Sequence, residues 1–147
     1  MPEYHSNNNN KWGLEFPEIY CPFQETGKAI FDPGVGTKHF DPWWMIVQCD
    51  QGIVDLYRWF LKKYGLPTVP NHLWNAHISV IKGEEPPNKN LWNFVDSQVS
   101  YRYSNNIRWD NNFHAWLDVY SPELSDLRVK LGLPKKEWFH MTLGRLK

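Results

Sequence analysis

Two strand-like segments, far apart in the chain, carry the same pattern of His-x-Ser/Thr within an apolar run. They are residues 74–84 and 138–145. Their imidazole and hydroxyl positions are His77, Ser79, His140 and Thr142. Because successive side chains of a strand alternate between its faces, each segment places its imidazole and its hydroxyl on one face. The opposite face is apolar in both, which predicts two strands that each turn one side toward a core.

The stretches that precede the two motifs are also alike. A strand-like run, Trp43–Cys49, leads into a helical pattern that ends at Gly65-Leu66-Pro67. The apolar positions of this helix, predicted to face the core, are Ile53, Leu56, Tyr57, Phe60, Leu61 and Tyr64. A second run, Phe113–Tyr120, leads into a helix with Ser121 as N-cap and Pro122 in its first turn, and this helix ends at Gly132-Leu133-Pro134. The order of strand, helix, Gly-Leu-Pro and motif strand thus occurs twice.

A doubled unit of this kind resembles the two-histidine (2H) phosphoesterases, whose active site is a pair of His-x-Thr/Ser motifs. The resemblance implies an α+β, bilobal fold in which two pseudo-symmetric strand-helix-strand units, 43–83 and 113–147, place antiparallel sheets around a central groove with the helices outside. It also implies catalytic roles for His77, Ser79, His140 and Thr142. Within the family, residues 77–84 are most similar to small viral RNA-repair-like proteins, some of which are anti-CBASS phosphodiesterases that destroy cyclic-oligonucleotide immune signals.

Two histidines suit the cleavage of an RNA-like phosphodiester by internal attack of a 2'-hydroxyl. One imidazole can remove the proton of the nucleophile while the other protonates the leaving oxygen. The hydroxyls of Ser79 and Thr142 can donate to the non-bridging phosphate oxygens. This chemistry needs no metal and no cofactor, and neither motif carries the carboxylates or thiols of a metal site.

Candidate ligand-binding residues come from the motif face (Trp138, Trp116, His114), from positions with the parity of the apolar face (Trp74, Lys82, Arg145) and from the N-terminal segment. Trp138 is the first choice for stacking on a base, followed by Trp116 and Trp74. His114 is expected beside the groove. Lys82 and Arg145 end their strands and suit either phosphate binding or plain solvation. Further pocket walls are expected from Trp12, Tyr20 or Lys28, and for most other aromatic residues a core role is expected.

Composition and charge narrow the class of protein. The 147 residues suit one domain, with an irregular arm over residues 1–42 that includes a short strand near residues 28–31, and a hairpin of strands 99–103 and 107–109. The net charge of zero argues against long nucleic acids and anionic membranes. The only two cysteines, Cys21 and Cys49, have no metal-type spacing, and no signal peptide or membrane span is evident. We therefore expect a cytoplasmic monomer or weak oligomer, in the host cytoplasm if the chain is viral.

Three classes of function remain open from the sequence. The leading hypothesis is a phosphodiesterase for a cyclic di- or trinucleotide or another small RNA-like ligand. Within the same chemistry, the alternatives are hydrolysis of 2',3'-cyclic phosphates or of 2'-5' oligoadenylate. A sponge that binds cyclic nucleotides without turnover, and a plain structural or virion protein, belong to other classes.

Overall fold

The computed structural model describes residues 3–4, 15–38, 40–69, 76–93, 98–110 and 114–146. Its strands are β1 (Glu3–Tyr4), β2 (Phe23–Phe31), β3 (Trp44–Gln48), β4 (Thr68–Val69), β5 (His77–Lys82), β6 (Gln98–Trp109), β7 (His114–Tyr120) and β8 (Trp138–Leu146). Its helices are α1 (Pro17–Tyr20), α2 (Gln51–Lys63) and α3 (Pro122–Lys130), with a 3₁₀ turn at Lys89–Leu91.

Six antiparallel strands close into a β-barrel. The ring runs β6–β2–β3–β5–β8–β7 and returns to β6, and every neighbouring pair is antiparallel. The bilobal α+β arrangement predicted from the doubled unit is therefore wrong. The two motif strands do lie side by side, but β2 and β6, which the repeat does not include, close the sheet around them, so there are no two lobes and no groove between them.

Strand alternation explains where the core sits. Apolar side chains at every second position of the barrel strands point inward, and those of the two motif strands are almost fully buried. The inward residues of these two strands are Ile78, Val80, Phe139, Met141 and Leu143. The polar positions between them therefore lie on the outer face, as the sequence predicts for each strand.

Both longer helices contribute to the same core cluster as the strands. Helix α2 packs against β4 and β8, and α3 packs against β5 and β6. The predicted caps are confirmed: the Ser121 hydroxyl accepts a hydrogen bond from Leu124 N at 3.2 Å, and Gly65 and Gly132 follow the helices with φ of +79° and +85°. Within the described ranges, neither helix is long and apolar enough to cross a membrane.

Two local predictions differ from the structure. The hairpin expected around residues 104–106 is one long strand, β6, which has an irregularity opposite β7 between Tyr103 and Ile107. The arm expected to be irregular contributes β2, a nine-residue strand paired with β6 and β3. Its short predicted strand at residues 28–31 is only the half of β2 that pairs with β3.

Candidate functional site

The four motif residues come together on the outer face of the barrel. Ile78 of β5 lies opposite Met141 of β8, and both side chains point into the core. Alternation then sets His77 beside Thr142 and Ser79 beside His140 on the opposite, outward face. In a regular antiparallel ladder, diagonal neighbours such as the two histidines have Cα atoms about 7–8 Å apart. His77, Ser79 and His140 are half-buried, and Thr142 is exposed.

Trp116 forms one wall around His140. It lies opposite Thr142 on β7, and its ring stacks on the imidazole with a centroid separation of 4.6 Å and an interplanar angle of 21°. Burial lowers the pKa of His140 from 6.5 to about 4, an effect that the Asp118 carboxylate opposes and that Lys136 and Arg108 reinforce. His140 is therefore neutral near pH 7, with the protonation state of a general base.

Asp118, opposite His140 on β7, is the centre of a buried hydrogen-bond network. Its carboxylate accepts bonds from Tyr20 Oη at 2.7 Å, Arg108 Nη1 at 2.7 Å and Trp116 Nε1 at 2.9 Å. The side chains of Arg108 and Asp118 are 3% and 2% exposed, so the two charges compensate each other away from solvent. This network fixes Trp116, and through its ring it orients His140.

Trp44 stands on the other side of the motif pair. Its Nε1 lies 3.4 Å from Ser79 Oγ, to which it donates, and its ring meets the His77 ring nearly edge-on at 6.2 Å. The Lys82 ammonium lies 5.1 Å from the centroid of the Trp44 ring. Lys82 thus places a cation on the Trp44 ring, in an exposed position that also suits a solvated charge.

The remaining predicted binding residues are spread around the barrel. Trp138 is 7% exposed and packs against Tyr20 and Tyr120, so a base could stack on it only after a neighbour moved. His114 and Arg145 lie opposite each other, both exposed, beyond the motif positions on β7 and β8. Tyr20 is buried with its hydroxyl on Asp118. Trp12 and Trp74 lie outside the described residues.

The sequence reasoning assigned no role to Trp44, Arg108 or Asp118. Asp118, a lone acid inside the apolar run 113–120, is the signal that the sequence offers for a buried ion pair. Its partner Arg108 was not recognised, because residues 107–109 were assigned to a hairpin. Trp44 lies in a continuous apolar run, 43–47, which does not distinguish the two faces of the strand, so its place beside Lys82 follows only from the pairing of β3 with β5.

The side chains around the motif residues were compared with those that a metal site requires. Among the residues that the structure describes, no three His, Cys, Asp or Glu side chains are grouped so that they could hold a metal ion. At the site itself the acid Asp118 is already bonded to three donors. The residues present therefore suit proton transfer and hydrogen bonding to an anion.

Comparison of the chain with protein-family models, with curated proteins and with solved structures found no significant match. The resemblance to the two-histidine phosphoesterases therefore rests on the sequence motifs alone.

Proposed function

We propose that the chain is a metal-independent phosphodiesterase that cleaves a small RNA-like ligand, with a cyclic oligonucleotide signal as the preferred substrate class. The observation that carries the proposal is the antiparallel register of β5 and β8. It supports one site with two imidazoles and two hydroxyls on adjacent strands. Because the fold is not bilobal, the proposal depends on this arrangement of side chains and not on the architecture of the family.

In this mechanism His140 is the general base and His77 the general acid. The stacked Trp116 ring and the surrounding burial keep His140 neutral near pH 7, ready to take the proton of a 2'-hydroxyl. His77 lies on the diagonal, where it can protonate the leaving oxygen of the same phosphate. Ser79 and Thr142 donate to the non-bridging oxygens, which carry more charge in the transition state.

The test is a cleavage assay with the purified chain and a panel of cyclic di- and trinucleotides, 2',3'-cyclic AMP and 2'-5' oligoadenylate, read by chromatography. Activity is expected to persist in EDTA. His77→Ala and His140→Ala should each lower kcat at least about 100-fold, the lower end for a lost general acid or base. Ser79→Ala and Thr142→Ala should cost less, since each removes one of several phosphate contacts.

The internal nucleophile has its own test. A ligand with hydrogen in place of the 2'-hydroxyl beside the scissile phosphate should bind but resist cleavage. Cleavage of this deoxy ligand at an undiminished rate would make water the nucleophile and rule out internal attack. Recovery of intact ribo-ligand from the wild-type complex would instead indicate a binding protein without turnover.

A further inference from the structure

A cavity of about 430 Å³ opens among β2, β3 and β6, on the β3 side of the two motif strands. Its lining residues are Thr26, Gly27 and Lys28 of β2, Gln48 and Cys49 at the end of β3, and Gln98 at the start of β6. The volume falls within the range of about 300–1,000 Å³ that small-molecule sites occupy. Nothing in the motif chemistry uses this space.

The sheet register connects the cavity directly to the motif face. Gln48 lies opposite Lys28 on one side and opposite His77 on the other, so the three residues form one row across β2, β3 and β5. With strands about 4.8 Å apart, the Cα atoms of Lys28 and His77 are separated by about 10 Å. A ligand with one phosphate at the histidines can therefore extend across Gln48 into the cavity.

The chemistry of the lining indicates what this extension carries. Lys28 supplies a cation, Gln48 and Gln98 supply carboxamide donors and acceptors, and Thr26 supplies a hydroxyl. Among the residues that the structure describes, no aromatic side chain lines the cavity. The nearby carboxylate of Asp50 is occupied as the cap of α2, where it accepts from Gly52 N at 2.9 Å. This set suits a phosphate and the polar sugar attached to it better than a stacked base.

We propose that the Lys28 cavity is a second-phosphate subsite, so that the site takes an RNA-like ligand of at least two nucleotides and discriminates against a 2',3'-cyclic mononucleotide. The inference rests on the proposed function for the placement of the first phosphate at His77 and His140. It adds that specificity comes from β2 and β3, outside both motifs. Lys28 is a binding residue here, with no part in proton transfer.

The experiment measures binding by calorimetry with two probes that lack the attacking hydroxyl: the 2'-deoxy form of cyclic di-AMP, and 2'-deoxy-AMP as the one-phosphate reference. The variants are Lys28→Ala and Lys28→Arg, with Lys62→Ala as the control. Lys62 lies in the last turn of α2, so this control removes the same charge from an exposed position of the same protein.

Lys28→Ala should weaken binding of the cyclic dinucleotide about tenfold, the low end for one charge-assisted hydrogen bond at an exposed lysine. Binding of the mononucleotide should stay unchanged. Lys28→Arg should restore most of the loss, and Lys62→Ala should bind as the wild type does. Equal losses for both probes, no loss for either, or no binding of the cyclic dinucleotide by the wild type would each overturn the inference.

Cleavage of ribo-cyclic di-AMP by the same variants separates this inference from the proposed function. A kcat/KM for ribo-cyclic di-AMP that does not depend on Lys28 would leave the phosphodiesterase in place and rule out the subsite. Binding that depends on Lys28 but is not followed by cleavage would support the subsite and rule out the phosphodiesterase activity.

Discussion

At the scale of single residues, a chain of side-chain contacts holds His140 in place. His140 is held against Trp116, whose indole N–H is bonded to Asp118, and Asp118 is held in turn by Arg108. A buried pair of opposite charges contributes little net stability by itself, but it fixes the geometry around it because breaking either partner costs about 3–5 kcal/mol. Rigid placement of His140 is therefore the main consequence of this network.

The lowered pKa of His140 predicts a particular dependence of stability on pH. In the unfolded chain the imidazole gains its proton as the pH falls through about 6.5, whereas in the folded chain it does so only near pH 4. Between these values the unfolded state binds more protons, so stability falls as the pH falls and rises again with pH. From pH 7 to pH 4.5 this one group should remove about 2 kcal/mol from the free energy of unfolding.

The measurement is urea denaturation of the wild type and of His140→Gln across this interval. The variant side chain stays neutral at every pH, so its stability should fall by about 2 kcal/mol less than that of the wild type. Hydrogen bonds from Arg128 lower the pKa of Glu84 below its ordinary value of 4.5. Its effect on the free energy of unfolding therefore falls mainly below the pH interval measured here. Parallel curves for the two proteins would show that burial does not keep His140 neutral.

At the scale of elements, the position of helix α2 could be predicted from the sequence, but the width of its buried face could not. Its start, its end and its amphipathic character follow from local signals: Asp50 caps its first turn, and Gly65 follows its last. The face that it buries is narrower than predicted. The residues buried are Ile53, Val54, Tyr57 and Leu61, whereas Leu56, Phe60 and Tyr64 are exposed. The spacing of apolar residues shows that α2 is amphipathic. The shape of the sheet surface against which the helix packs determines how many of those residues are buried.

A matched pair of substitutions tests this assignment of α2. Leu61 is fully buried and Leu56 is 49% exposed, although both belong to the stripe predicted to face the core. Leu61→Ala should cost about 2–5 kcal/mol because it leaves a cavity. Leu56→Ala should change stability by no more than about 0.5 kcal/mol. Chemical denaturation of the two variants checks this, and a large loss for Leu56→Ala would contradict the packing described here.

The central residues of the motif strands show a better agreement, since their faces could be predicted from the sequence. Alternation over residues 77–80 of β5 and 139–143 of β8 separates the buried Ile78 and Met141 from the outward histidines, and no tertiary information is needed for that. What the sequence could not supply is which strands close the sheet. The pairing of β2 with β6 joins residues 70 to 80 positions apart, and neither strand belongs to the repeat that suggested two lobes.

At the scale of the whole molecule, closure of the barrel makes the two halves of the repeat one structure. Residues from five of the six barrel strands and from both longer helices share a single core cluster, and Ala29 and Phe31 of β2 pack against it. The pairing of Ile78 with Met141 lies at the junction of the two motif strands. Two lobes with separate cores could lose their structure separately. A closed barrel cannot open between β5 and β8 without exposing the common core.

Equilibrium unfolding is therefore expected to be a single two-state transition, with far-UV circular dichroism and tryptophan fluorescence giving the same midpoint. Met141→Ala, at the centre of the junction, should cost about 2–5 kcal/mol and move both midpoints together. Val129→Ala, at a 52% exposed position of α3, is the control and should leave both midpoints nearly unchanged. Because β5 and β8 also carry the catalytic candidates, loss of this junction should abolish ligand binding in the same transition. Separate midpoints for the two probes, or a Met141→Ala effect confined to one of them, would mean that the halves of the repeat fold independently.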